Sequence, residues 1–159
     1  MKPLAFITAF LLIAATMPPA GARNIYVPTY DELFAKSDFV VIARPTGKTR
    51  DTRERATLSN NISPISTDTI SPSIAAIRVV TDFECLFVIK GAKRKRFTLH
   101  HYREGPSGER TIVNGPTFMT FDLKETTQTF LMFLVRERDG RFAPVVGQLD
   151  PDLSIQQLQ

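Results

Sequence analysis

The sequence predicts a mainly β domain: five or six antiparallel strands closing into a small barrel, led by a short N-terminal helix, with a β-sandwich as the alternative. Three observations predict it. In "AAIRVVTDFECLFVIKG", Ile77, Val79, Thr81, Phe83, Cys85, Phe87 and Ile89 fall on one side, and Arg78, Asp82, Glu84 and Lys90 on the other. That is the period of two that a strand shows and a helix does not. The run "TFLMFLVR", Thr129 to Arg136, is apolar on both faces and reads as the central, most buried strand. Short connections marked by "GAKRKR" and Asp139-Gly140 favour antiparallel neighbours.

The elements follow in chain order. In "TYDELFAKSD", Thr29 and Glu32 have capping-box spacing, Asp31 and Glu32 suit the positive end of a helix dipole, and Lys36 suits the other end. This predicts a helix over Tyr30 to Lys36. "FVVIARP", Phe39 to Pro45, is a compact β-branched run and predicts a strand. From Thr46 to Ser73, eleven of 28 residues are Ser or Thr, with two prolines, which predicts a long surface loop. Asn61-Ile62-Ser63 fits a glycosylation sequon inside it. The Ile77–Ile89 run is long enough to need a bend or bulge. Leu86 and Val88, on its polar side, predict a second half covered on both faces. "FTLHHY" is a further strand, followed by a Gly-Pro-punctuated loop with an extended piece at Thr111 to Val113. "TFMTFDL" also reads as a strand. After the Asp139-Gly140 hairpin, "FAPVVG" returns, and Pro144 assigns that return to an edge. Asp150 and Pro151 predict a final helical turn, with Asp150 as its cap.

The N-terminus, "MKPLAFITAFLLIAATMPPAGA", has one early cation, an uncharged apolar run from Leu4 to Met17, a Pro-Pro break and small residues at Ala20 and Ala22. This predicts a signal peptide over 1–22, cleavage after Ala22, and a periplasmic or secreted single domain over 23–159. The run is short for a membrane span. The remaining chain carries nineteen basic and sixteen acidic residues, a formal +3. That is too mild a bias to predict nucleic acid as a partner. Its single cysteine, Cys85, leaves no internal disulfide, so stability must come from the core, for which twelve Phe provide the bulk.

Four pieces together, the signal peptide, "AKSDFVVIARPTG", "FECLFVIKG" and "TFLMFLVRERDGRFAPVVGQLD", look like bacterial exported proteins similar to the netrin-like, or tissue-inhibitor-of-metalloproteinase-like, variant of the OB-fold. The resemblance covers most of Phe39 to Gly147 and implies an OB-like barrel. It also raises protease inhibition by analogy. Inhibitors of that type use a cysteine at the mature N-terminus, where this chain has Arg23, so their functional residues carry over to no position here.

The candidate chemistry is sparse. His100 and His101 are adjacent on a strand, so they point to opposite faces and cannot easily grip one metal, which wants three or four ligands. They read as structural residues, with metal binding or catalysis as the other readings. Cys85, between Phe83 and Phe87, reads as a buried free thiol rather than a nucleophile. Ser107 in "GPSG" sits in a turn without a nucleophile elbow, and no phosphate loop or cofactor motif is present. The run Lys93-Arg94-Lys95-Arg96 is a candidate anion-binding turn, against its plainer reading as a solvated hairpin tip that discourages edge pairing. His100, Tyr102 and the Arg103–Gly108 loop form a second candidate contact surface by analogy with OB-type barrels. The sequence therefore favours a non-catalytic binding or assembly module outside the cytoplasm, with a protein or an anionic surface as partner. The alternative is a small extracytoplasmic hydrolase or metalloenzyme using His100 and His101.

Overall fold

A computed structural model describes residues 25–59, 73–106, 117–122 and 127–158. The signal segment, the sequon at Asn61, the extended piece at Thr111–Val113 and Ser107 lie outside the described residues. Helix α1 (Tyr30–Lys36) forms where its capping box requires, with the Thr29 and Glu32 side chains each satisfying the other's backbone. Six strands follow: β1 (Phe39–Ser59), β2 (Ser73–Lys90), β3 (Arg96–Glu104), β4 (Thr129–Arg136), β5 (Phe142–Pro144) and β6 (Ile155–Leu158).

The sheet order is β1-β2-β3-β5-β4-β6, and an added β1–β4 pairing closes the first five strands into a ring. This is the small OB-like barrel, with one departure from the antiparallel expectation: β3 and β5 pair in parallel through Leu99 and Phe142. The ring is filled by aromatic and aliphatic side chains. Phe83 stacks on Phe97 at 5.4 Å between centroids, and Phe97 meets Phe39 edge-on at 5.5 Å. Val41, Ala43, Leu99, Met132 and Leu134 complete the wall at zero exposure. Outside the ring, α1 seats Leu33 against Val40 and Phe133. As expected, β4 is central: it pairs with β1 on one edge and with β5 and β6 on the other.

Four sequence expectations are corrected. Thr46–Ser59 is strand, not loop: β1 continues past Pro45 beside β2, with register shifts at Pro45/Thr49 and Asp51/Arg55. This stretch has lost contact with β4, so it needs no apolar period and its polar composition misleads. Thr117–Asp122 forms no strand; Phe121 instead packs edge-on against Phe83 at 5.0 Å and Phe130 at 5.2 Å. Its alternation reports core packing, not a ladder. Pro144 is not at an edge, because β5 lies between β3 and β4. Only Phe142 of β5 pairs with β3, so the missing Pro144 N–H is not needed there. The final turn forms over Pro151–Leu153, but the Asp150 side chain accepts from the Thr117 N–H at 3.0 Å instead of capping it. The chain then adds β6, which the sequence did not signal.

Candidate functional site

The period of β2 holds as far as Cys85, which faces Ala43. There it breaks. Ile42 pairs with Phe87, and Val41 with Val88, while Val40 pairs with Lys90, so Leu86 and Ile89 are extra residues in the ladder. An inserted residue shifts the alternation to the other face. Val88 consequently packs on the core, and Phe87 turns outward beside Ile42, whose other neighbour is Leu131. Leu86, Phe87 and Ile89 are 46%, 63% and 44% exposed. The expectations that Phe87 and Ile89 face the core, and that this half of β2 is covered on both sides, are both corrected.

The connection to β3 is held firmly. The Cys85 N–H donates to the Lys95 carbonyl at 2.9 Å, and Glu84 pairs with Arg96, so Leu86–Lys95 is an excursion beyond the end of β3. Gly91 turns at φ +97°, and a Cβ there would lie 2.7 Å from the Asp38 carbonyl oxygen, so only glycine fits. The Lys90 ammonium donates to the Phe34 carbonyl at 2.6 Å and lies 4.9 Å above the Phe34 ring. The Arg94 guanidinium folds back over Phe39 and Phe142, at 5.1 and 4.8 Å from the ring centroids. The expected run of four cations is thereby split. Lys93, Lys95 and Arg96 are exposed, while Arg94 is half-buried and helps line a cavity of about 330 Å³ with Asp38, Phe39, Ala92, Arg136 and Phe142.

The two histidines do face opposite ways. His101 points into the ring, where its Nε2 lies 2.8 Å from the Thr81 hydroxyl and its ring meets Phe121 edge-on. Burial, aided by the neighbouring His100, pushes its pKa down to about 4. His100 points outward but is buried beneath the β4–β5 turn, with Nδ1 2.6 Å from the Glu137 carboxylate. A carboxylate only accepts, so Nδ1 carries the proton. Burial lowers the His100 pKa, and Glu137 opposes that. Gln148 donates to the His100 carbonyl at 3.1 Å. His100 thus ties two loops to β3. Tyr102, 6% exposed, receives the Arg78 guanidinium on its hydroxyl. Among the described residues of the second candidate surface, His100 and Tyr102 are buried, Glu104 and Pro106 are exposed, and the half-buried Arg103 is paired with Asp51.

Cys85 is half-buried, and burial pushes its thiol up, away from thiolate. Among the described residues no group of three or more His, Cys, Asp or Glu is placed to hold a metal. Sequence reasoning located the basic turn but missed Phe87, Glu137 and Gln148. The unbroken apolar run Cys85–Ile89 was the available signal for Phe87, since strict alternation cannot place five such residues on one face.

No protein-family model matches the chain, and no curated protein matches it.

Proposed function

We propose that the protein is an exported, non-catalytic binding or assembly module, and that the Leu86–Arg96 segment is its contact surface for a protein or an anionic surface outside the cytoplasm. The observation that carries this reading is the exposure of Leu86, Phe87 and Ile89 beside three exposed cations on a rigidly held segment. Isolated exposed apolar residues are ordinary; three within four positions are not. The leader predicted over 1–22 supports export. The orientation of His100 and His101 away from each other counts against a shared catalytic or metal centre.

The test is capture from an extracytoplasmic fraction. The chain from Arg23 contains every described element and serves as bait at low and moderate salt, beside a bait carrying Phe87→Ser, Lys93→Gln and Lys95→Gln. The reading expects material retained by the first and lost from the second. Equal retention by both baits would refute it.

A further inference from the structure

We propose that the Leu86–Arg96 segment docks the protein on an anionic lipid bilayer, with its apolar side chains entering the interface and its lysines meeting the headgroups. This rests on the reading of that segment as the contact surface and names its partner.

The charge pattern is the first ground. Lys90, Lys93, Arg94, Lys95 and Arg96 share the segment with no acidic residue. The nearby acids are already engaged: Glu84 pairs with Arg44 at 2.8 Å, and Asp38 accepts from the Arg136 backbone at 2.9 Å. Among the described residues, no carboxylate forms an ion pair with Lys93, Lys95 or Arg96. Such a surface repels a second copy of itself and attracts an anionic one.

Side-chain type is the second ground. Protein interfaces concentrate aromatic residues and Arg and are depleted in Lys; here two of the three exposed cations are Lys, and two of the three exposed apolar residues, Leu86 and Ile89, are aliphatic. Long lysine stems let apolar neighbours sink while the ammonium stays at headgroup level. The apolar and basic residues belong to one continuous run, Leu86–Arg96.

Pre-organisation is the third ground. Gly91 against Asp38, Arg94 over Phe39 and Phe142, and the Cys85–Lys95 hydrogen bond fix the segment before it meets a partner. Docking therefore requires little further ordering. No helix among the described residues is long and apolar enough to cross a membrane, and none is needed for attachment of this kind.

The experiment is co-sedimentation of the chain from Arg23 with vesicles of phosphatidylcholine alone or with about a third phosphatidylglycerol. Binding is expected only to the anionic vesicles, weakening as salt rises. Lys93→Gln with Lys95→Gln should weaken it roughly 25-fold, about fivefold per cation. Phe87→Ser should weaken it about tenfold. Thermal unfolding of each variant shows that the fold persists. Failure to bind anionic vesicles overturns the proposal. So does binding that Phe87→Ser leaves unchanged, which would be contact with a polyanion's charge alone. If vesicle binding fails but the capture above still retains a protein through this segment, the lipid proposal falls and the binding-module reading stands. Failure to bind the vesicles together with equal retention by both baits removes both.

Discussion

His101 Nε2 lies 2.8 Å from Thr81 Oγ1, and Thr81 Oγ1 lies 2.8 Å from Thr49 Oγ1. The three side chains link β3, β2 and β1 across the barrel wall. Because the folded pKa of His101 falls to about 4 from 6.5, the unfolded chain binds the proton more readily. Stability is therefore full above about pH 6.5 and declines as pH falls toward 4. The loss is on the order of 3 kcal/mol. His100 is shifted in the same direction and adds to it. Urea unfolding measured across this range should show the decline, and His101→Gln should flatten it. An unchanged slope in the variant would place the titration elsewhere.

Phe83 and Phe87 lie four residues apart on one strand and should respond oppositely to truncation. Phe83 is fully buried, and Phe83→Ala should cost about 3–5 kcal/mol. Phe87 is 63% exposed, and Phe87→Ala should change stability by less than about 0.5 kcal/mol. Chemical denaturation of the pair tests the bulge at Leu86 directly.

Gly91→Ala forces a Cβ to within 2.7 Å of the Asp38 carbonyl at a backbone angle that L residues avoid. The expected loss is about 2 kcal/mol or more, read as a lowered denaturation midpoint. Gly140 also has a positive φ, but a Cβ there meets nothing within 4 Å. Gly140→Ala should therefore cost less, about 1 kcal/mol.

Within the basic turn, Arg94→Ala should destabilise by about 1 kcal/mol, because its guanidinium covers two core rings. Lys93→Ala should be close to neutral. Equal effects would mean that Arg94 is not seated on those rings.

Where the chain's local chemistry and its packing agree, the fold was legible. The Thr29–Glu32 box bounded α1, and the two-faced apolar run of Thr129–Arg136 marked the strand with most partners. Opposite facing of His100 and His101 followed from strand geometry alone. Legibility failed wherever period and environment part company. The distal half of β1 is polar because it has left β4. Phe87 looked like a core residue because an inserted residue cannot be seen in composition. The cations at 93–96 were legible as charges, but the return of Arg94 onto Phe39 and Phe142 depends on rings brought together from β1 and β5. Glu137 became a partner of His100 only when the β4–β5 turn folded over β3.

The ring is sealed by a short seam: β1 meets β4 only over Phe39–Ala43, against partners roughly ninety positions later in the chain. The hairpins β1–β2 and β2–β3 ask for much nearer contacts. Chain-closure entropy must be spent on that seam before its five pairs return anything. Contact order therefore favours a β1-β2-β3 meander as the first piece to form, an open curl with the apolar inner faces of Phe39, Val41 and Ala43 uncovered until β4 arrives. The interval between curl and closure is when this chain is most exposed to self-association.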